Sequence, residues 1–466
     1  MTTMALAEYA QQLTFEDLPP SVVDKAKYII LDTIGCALGG SQTELVRVID
    51  TMICQEGGHP ICTLIGRSEK SSPAWCAFRN AAAVNALDFG DDNYYGHPGS
   101  TIVSTALAIA EEVEASGRAM IAAVVAAYDV VARVGEAINP SPERFAQVWG
   151  VGTHQVFGAA VAASKLMRLK GDNFLYALGL AGVSAPLPSG LCWNFEARPL
   201  SWHKDSVHWP AWAGLTAARL ARAGFIGPRA VLDGPHSFWI MSGSDHFEPD
   251  ALTAGLGNDF KIMDSSFKPY PACRWSHAAL DAVGIIMQKH PIDVSDIAAV
   301  DIETFHLLED YQFMDYAPAN LVDAEFSLPY PVAMALLRIP PGPDWYTPER
   351  MADPEVRRLG SLVRLHTTDE MNRLYREENL WAARVIITTH TGASYRAMVP
   401  VASGSPSNPL PEGTLERKFR QASQVVLTPD QIEKLLARIK NLESEGTIAA
   451  VCELLRGAES GSREPA

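Results

Sequence analysis

Four long segments rich in alanine and other apolar residues occupy much of the first half of this 466-residue chain. They read STIVSTALAIAEEVEASG at 100–117, AMIAAVVAAYDVVARVGEAI at 119–138, GTHQVFGAAVAASKLMRLKG at 152–171 and PAWAGLTAARLARAGFIGP at 210–228. Written as α-helices, they are apolar around much of their circumference, which is typical of helices buried inside a bundle. Small side chains also allow helices to approach closely. We therefore predict a large all-helical core, and a chain of this length can bury one.

The pattern changes near residue 265. Apolar and polar residues alternate in AAVDIETFHL at 298–307, as in a strand, and ARVIITTHTGASYRAMVPV at 383–401 indicates a hairpin that turns near Gly392. Thr428 as a cap and Pro429 as the first helical residue predict a final helix. The predicted fold class is mainly α, with a large all-helical domain and a smaller α+β domain.

These patterns suggest domain boundaries. We place the first part of the helical domain at 1–264, the α+β domain at 265–408, and C-terminal helices that pack back onto the helical domain at 409–456. The last segment, GAESGSREPA at 457–466, is small and polar, so we expect a flexible tail there.

Charge and cysteine content argue against several classes of function. The chain has 54 acidic and 38 basic residues and a net charge of −16, which disfavours binding to nucleic acid and to anionic membranes. Its seven cysteines are scattered without a C-x-x-C pair, which argues against a disulfide framework and a structural metal site. No apolar stretch approaches the ~20 residues that span a bilayer. We expect a cytoplasmic protein with no metal site.

A cluster of titratable side chains, DFGDDNYYGHPGS, lies at 88–100 between two segments of the buried type. Aspartates and a His-Pro-Gly turn are also common as caps and turns after a helix. Carboxylates at a buried junction must, however, be paired or solvated in a cleft. We therefore take Asp88, Asp91, Asp92 and His97 as candidate site residues.

A second stretch, PLSWHKDSVHWPAWAG at 199–214, places Lys204 beside Trp202. Aromatic surroundings strengthen the hold of an ammonium group on a substrate carboxylate. The alternative is a surface loop with an exposed lysine. His203 and His208 are five positions apart, which does not match the spacing of a zinc site on a helix.

A third stretch, DSSFKPYPACRWSHAALDA at 264–282, contains Lys268, Arg274 and His277. Ser276 can cap a helix that begins near His277. A histidine at a helix N-terminus tends towards the neutral form, which suits a general base. The alternative is an ordinary first-turn residue.

These stretches occur together and in order in the MmgE/PrpD family, which includes 2-methylcitrate dehydratase, cis-aconitate decarboxylase and iminodisuccinate epimerase. The chain resembles that family over nearly its whole length. The matching segments are AKYIILDTIGCALGG at 26–40, NALDFGDD at 85–92, HPGS at 97–100, GTHQVFGAAVAASKL at 152–166, AGFIGPRAVLDG at 223–234, KPYPACRWSHAALDA at 268–282, FSLPYPVAMALL at 326–337 and LERKF at 415–419. The resemblance implies a homodimer without a metal or organic cofactor, and an active site in the cleft between the two domains.

The resemblance also implies roles for individual residues. The expected catalytic residues are Asp88, His97, Lys204, His277 and Tyr330. The residues that we expect to bind a small carboxylate substrate are Asp91, Asp92, Trp149, Trp202, Lys268 and Arg274.

Two departures from the family pattern bear on these roles. Members commonly read D-[FY]-D-D-T where this chain has DFGDDN, so Asp91 and Asp92 are shifted by one position. VWGVGT replaces FHPTGT, which puts Trp149 where many members have an active-site histidine. A tryptophan there removes a polar group and adds an apolar wall, which favours a substrate less polar than a tricarboxylate.

The shared chemistry of such enzymes begins at a C–H bond next to a carboxylate. We hypothesise a cofactor-independent lyase, specifically a dehydratase similar to 2-methylcitrate dehydratase. Lys204 would stabilise the negative charge that develops, with Lys268 or Arg274 in support. His277 or His97 would remove the proton, and the other histidine would protonate the leaving hydroxyl.

Other reactions remain open at this point. Return of the proton to the opposite face would make the protein an epimerase, and loss of CO₂ would make it a decarboxylase, because a fold does not decide between them. A non-catalytic helical scaffold or binding protein is the alternative of another class. It predicts that the proposed catalytic side chains do not face a common cleft.

Overall fold

The computed structural model describes residues 2–93, 96–148, 152–186, 198–203, 205 and 207–457. Its N-terminal part consists mainly of helices, as the alanine-rich segments predict. These helices are α1 Thr2–Gln12, α2 Pro20–Gly40, α3 Glu44–Glu56, α4 Pro73–Asn85, α5 Pro98–Glu112, α6 Gly117–Ala137, α7 Pro142–Val148, α8 Gln155–Leu166, α9 Asp172–Val183, α10 His208–Arg222 and α11 Phe238–Met241. A short antiparallel pair, β1 Cys62–Thr63 with β2 Lys70–Ser71, lies between α3 and α4.

Close contacts between helices explain the alanine and glycine content. Helix α8 packs against α5, α6, α9 and α10. A Cβ atom at Gly158 on α8 would lie 2.6 Å from the Val131 side chain on α6, and one at Gly214 on α10 would lie 2.4 Å from the Val156 carbonyl oxygen. Small residues therefore set the spacing of the bundle. In the described part of the chain, no helix is both long and apolar enough to cross a membrane.

After the bundle, helices alternate with strands. These elements are α12 His277–Lys289, β3 Ile297–Thr304, α13 Leu307–Asp310, α14 Leu321–Glu325, α15 Pro329–Leu336, α16 Pro348–Ala352, α17 Pro354–Ser361, β4 Val363–Thr367, α18 Asp369–Glu378, β5 Ala383–Thr389 and β6 Ser394–Val399. The strands β3 to β6 form one sheet in the order β4-β3-β5-β6. Strands β3 and β4 are parallel, and the other neighbours are antiparallel.

Strands β5 and β6 form the predicted hairpin. Thr388 pairs with Ser394, and Gly392 turns the chain with a φ of 84°, a conformation that favours glycine. Buried and partly exposed residues alternate along β5, and α12 packs against both strands. The predictions of this hairpin and of a mainly α fold with a smaller α+β part are confirmed.

The C-terminal helices return to the N-terminal bundle. They are α19 Thr414–Ser423, α20 Pro429–Lys440 and α21 Ala449–Leu454. Helices α19 and α20 both pack against α2. As predicted, Pro429 begins α20, and the Thr428 side chain accepts a hydrogen bond from the Gln431 main-chain nitrogen. The domain boundaries at 264 and 408 stay predictions.

Helices α2 and α4 are in such close contact that a substitution at a single glycine can test their packing. A Cβ atom at Gly40 would lie 2.0 Å from the Ala83 carbonyl oxygen on α4, whereas one at Gly39 would come no closer than 3.2 Å, to Pro343 Cγ. We expect Gly40→Ala to lower the free energy of unfolding by roughly 1–3 kcal/mol, as overpacking does elsewhere. Gly39→Ala is the matched control and should cost less. Thermal melting followed by circular dichroism measures both, and equal melting midpoints would contradict this close approach.

Candidate active site

Polar side chains from distant parts of the chain line one cavity where the bundle meets the second part of the chain. The polar lining residues are Asp88, Asp92, His97, Asp205, Lys268 and Arg274. The other lining residues are Phe145, Cys273, Trp275, Phe326 and Trp381. The unfilled space is about 440 Å³, its open mouth included. The cavity therefore combines charged groups with an aromatic wall.

Asp88 and Lys268 form a buried ion pair in this cavity. Lys268 Nζ lies 2.8 Å from Asp88 Oδ1 and 3.2 Å from the Asp88 carbonyl oxygen. Burial disfavours the charged ammonium, but the charge of Asp88, the hydrogen bond that Asp88 accepts and the other acidic groups nearby together outweigh this effect, so the pKa of Lys268 is raised. Asp88 has a φ of 45°, which is uncommon for a residue other than glycine and needs surrounding contacts to persist. The pair joins the loop after α4 to the segment before α12.

His97 directly precedes α5 and faces two carboxylates. Its Nδ1 lies 2.8 Å from the Asp91 carbonyl oxygen, which can only accept, so Nδ1 carries a proton. Its Nε2 lies 3.8 Å from Asp88 Oδ1 and 3.6 Å from Asp205 Oδ2. Nε2 therefore points at two carboxylates in the cavity, a geometry in which the ring can pass a proton to or from a bound molecule.

The neighbouring aspartates have different surroundings. The Asp91 carboxylate accepts hydrogen bonds from the Tyr128 hydroxyl at 2.7 Å and from the Gly99 main-chain nitrogen at 3.0 Å, and it does not line the cavity. Burial raises the pKa of Asp91 to about 6. Asp92 does line the cavity, and its main chain pairs with Ser266. Asp91 therefore supports the start of α5 and the loop that orients His97.

His277 begins α12, as predicted, but both of its ring nitrogens are engaged. Nε2 donates to the Ala272 carbonyl oxygen at 3.0 Å, and Nδ1 accepts from Arg274 Nη1 at 3.1 Å. Burial, with the charge of Arg274, lowers the pKa of His277 well below its usual value. His277 is thus a neutral residue that orients Arg274. Ser276 precedes the helix but makes no side-chain cap, and its hydroxyl donates to the Cys273 carbonyl oxygen.

Two further predicted residues, Tyr330 and Trp202, do not line the cavity. Tyr330 is buried, and its hydroxyl donates a hydrogen bond to the Trp345 carbonyl oxygen. Trp202 is 38% exposed and, like Tyr330, does not line the cavity. Lys204 and Trp149 lie outside the described residues.

Asp205 is a cavity residue that sequence reasoning missed. It is buried, and its Oδ2 accepts a hydrogen bond from Asn85 Nδ2 at 3.2 Å, while the same oxygen faces His97. The available signal was its place directly after Lys204, in a stretch that contains three tryptophans. A carboxylate in such apolar surroundings needs a partner, and this partner is distant in sequence.

Three of the polar groups could also face a cation. Asp88, His97 and Asp205 each offer one potential metal ligand, and the three ligand atoms lie within 4.8 Å of one another. No other such group is found among the described residues. The Lys268 ammonium already neutralises Asp88 at 2.8 Å and would repel a metal ion. The donor set therefore fits proton transfer better than metal binding.

The raised pKa of Asp91 predicts a pH dependence of stability. Its usual value is 3.8, and burial raises it to about 6. Between these values the native state retains a proton that the unfolded state has lost, so the contribution of Asp91 to the free energy of unfolding falls as the pH rises. The fall is at most about 3 kcal/mol.

Asp91→Asn cannot ionise, so it should gain stability relative to the unmodified protein as the pH rises from about 4 to about 7. Urea unfolding across this range measures the difference, with the surface variant Asp24→Asn as the control. A difference that does not change with pH would contradict the prediction.

Comparison with known proteins agrees with the fold. The model of the MmgE/PrpD N-terminal domain matches residues 4–250, and that of the MmgE/PrpD C-terminal domain matches residues 270–444. Cis-aconitate decarboxylase of Homo sapiens is 26% identical, with 100% of this chain and 97% of the relative aligned. Cis-aconitate decarboxylase of Aspergillus terreus is 24% identical, with 97% of this chain and 95% of the relative aligned. The enzyme of that name from Mus musculus is 25% identical, with 98% of this chain and 93% of the relative aligned. Since the N-terminal domain model alone matches more than half of it, this chain belongs to the MmgE/PrpD family.

Proposed function

We propose that this protein is a lyase that removes CO₂ from an unsaturated carboxylic acid. The observation that carries the proposal is the cavity in which His97 faces two carboxylates close to the cations of Lys268 and Arg274. The relatives named cis-aconitate decarboxylase, which align with almost the whole chain, support it. Decarboxylation thus becomes the first candidate in place of the dehydration predicted from the sequence.

The chemistry of such a decarboxylation defines what a site must supply. Cis-aconitate carries a CH₂–COO⁻ group on a carbon–carbon double bond. When the bond to the carboxylate breaks, CO₂ leaves and the electron pair forms a new double bond. The old double bond shifts its electrons to its far carbon, which takes a proton. The reaction needs a proton donor and groups that bind the remaining carboxylates, and it needs no oxidant.

His97 is the proposed proton donor. Its Nε2 lies in the cavity, 3.8 Å from Asp88 Oδ1 and 3.6 Å from Asp205 Oδ2, where it can reach a bound substrate. Lys268 and Arg274 would bind the carboxylates that the substrate retains. After each turnover the neutral His97 would recover a proton from solvent through the open mouth of the cavity.

The aromatic wall favours loss of CO₂. Phe145, Trp275, Phe326 and Trp381 line the cavity beside the charged groups. A carboxylate held against these rings loses hydration, whereas the transition state spreads the same charge over several carbons. Apolar contact therefore destabilises the bound carboxylate more than it destabilises the transition state.

The numbers of acidic and basic side chains that line the cavity indicate how many carboxylates the substrate carries. The described lining residues include three carboxylates, from Asp88, Asp92 and Asp205, against His97 and the two cations Lys268 and Arg274. This balance disfavours a tricarboxylate, as does the apolar Trp149 at a position where many members have histidine. We infer that the substrate has fewer carboxylates than cis-aconitate.

Dehydration is the second candidate, because Asp205 places a carboxylate 3.6 Å from His97 within the cavity. A base and an acid so close together are what removal of a proton and a hydroxyl requires. His277, the base expected from the sequence, is a weak candidate for this step. Its nitrogens are held by Ala272 and Arg274, and burial lowers its pKa.

A panel of acids tests these alternatives. We expect the purified protein in D₂O to release CO₂ from glutaconate, a dicarboxylate with a CH₂–COO⁻ group on a double bond, and to incorporate deuterium at the far carbon. Cis-aconitate, 2-methylcitrate and iminodisuccinate complete the panel, and NMR follows each. If an acid loses water and releases no CO₂, the protein is a dehydratase. If none of the acids is turned over, a non-catalytic scaffold or binding protein becomes the favoured interpretation.

His97→Gln should lower kcat at least ~100-fold, because the proposed proton donor is lost. His366→Gln is the matched control, since His366 lies on the surface next to Asp301, and its kcat should be unchanged. Steady-state rates with the substrate identified above measure both variants. Turnover of His97→Gln at the rate of the unmodified protein would contradict the assignment.

A further inference from the structure

Lys418 lies on α19 in the segment LERKF, which no step of the proposed reaction uses. Its side chain is buried, and its Nζ lies 2.6 Å from Asp32 Oδ1, 2.5 Å from the Phe89 carbonyl oxygen and 3.0 Å from the Lys268 carbonyl oxygen. Nζ also lies 3.9 Å from the centre of the Phe89 ring. Nζ thus donates hydrogen bonds to the two carbonyl oxygens and forms an ion pair with Asp32.

The two carbonyl groups belong to the main chain at the centre of the cavity. Phe89 directly follows Asp88, and Lys268 is the residue whose ammonium pairs with Asp88 at 2.8 Å. Lys418 therefore holds the main chain on both sides of this ion pair. Asp88 is also one of seven non-glycine residues in the described part of the chain with a positive φ, so its conformation depends on such contacts.

We propose that Lys418 is a positioning residue for the active site, with Asp32 on α2 as its counter-charge. The ammonium sets the separation of the two segments that carry Asp88 and Lys268. Lys418 does not line the cavity, so it acts through the main chain. The contacts reach across 329 positions to Phe89 and 150 positions to Lys268, which makes the C-terminal helix α19 part of the support of the site.

Removal of Lys418 alone would not separate positioning from stability. It leaves the Asp32 carboxylate buried without its counter-charge, and loss of one partner of a buried pair is strongly destabilising. Removal of both charges is often close to neutral for stability. The test variant is therefore K418M/D32N, which removes the donor to the two carbonyls and its counter-charge together.

The control variant is R79M/D50N. Arg79 Nε lies 2.9 Å from Asp50 Oδ1 in another buried pair, between α4 and α3, and neither residue lines the cavity. This variant reproduces the loss of two buried charges away from the site.

A crystal structure of K418M/D32N should show the Asp88 and Lys268 side chains separated beyond hydrogen-bonding distance, with the fold retained. The effect on rate depends on the function proposed above. If the protein has that function, we expect kcat of K418M/D32N to fall about 100-fold, because a catalytic group displaced by about 1 Å can cost that much. R79M/D50N should retain the ion pair, and its kcat should stay within about twofold of the unmodified value.

An unchanged Asp88–Lys268 distance in K418M/D32N would overturn the proposal, as would an unchanged kcat. Failure of K418M/D32N to fold while R79M/D50N folds would also overturn it, because the contacts of Lys418 would then serve the fold and not the site. If the unmodified protein turns over none of the acids in the panel, the proposed function has failed. The crystallographic distance then decides the role of Lys418 by itself.

Discussion

The buried ion pair between Asp88 and Lys268 is the contact on which the cavity depends. Each charge lies almost wholly out of water, so neither could be retained without the other. The pair joins the loop that leaves the helical bundle to the segment that enters α12, and it fixes where the two parts of the molecule meet. His97, Asp205 and Arg274 are placed around this junction.

Further hydrogen bonds hold the loops that carry the cavity residues. The Asp91 carboxylate binds Tyr128 and the first turn of α5, and the Asp91 carbonyl oxygen orients the ring of His97. His277 orients Arg274 in the same way. Asp91 and His277 therefore position other groups and do not line the cavity. Such groups fit a site that must hold an acid and cations against an aromatic wall.

The cavity residues were predictable from the sequence to different degrees. Asp88, His97, Lys268, Arg274 and Asp92 were identified as candidates, and all of them line the cavity. The roles of Asp91 and His277 were not predictable, because a sequence shows that a titratable group is present but does not show which way its side chain points. Asp205 was missed because its partners, Asn85 and His97, come from a segment more than a hundred positions earlier in the chain.

The helical core, the hairpin at Gly392 and the family were predictable before the structure was known, because they follow from local periodicity, turn residues and short motifs. Which charges line the cavity and which ones support it became clear from the folded structure. Those pairings, such as Asp88 with Lys268 and Lys418 with Asp32, join residues far apart in the chain. Their geometry is set when helices pack, and no local pattern of residues encodes the distance between two atoms that meet only in the folded state.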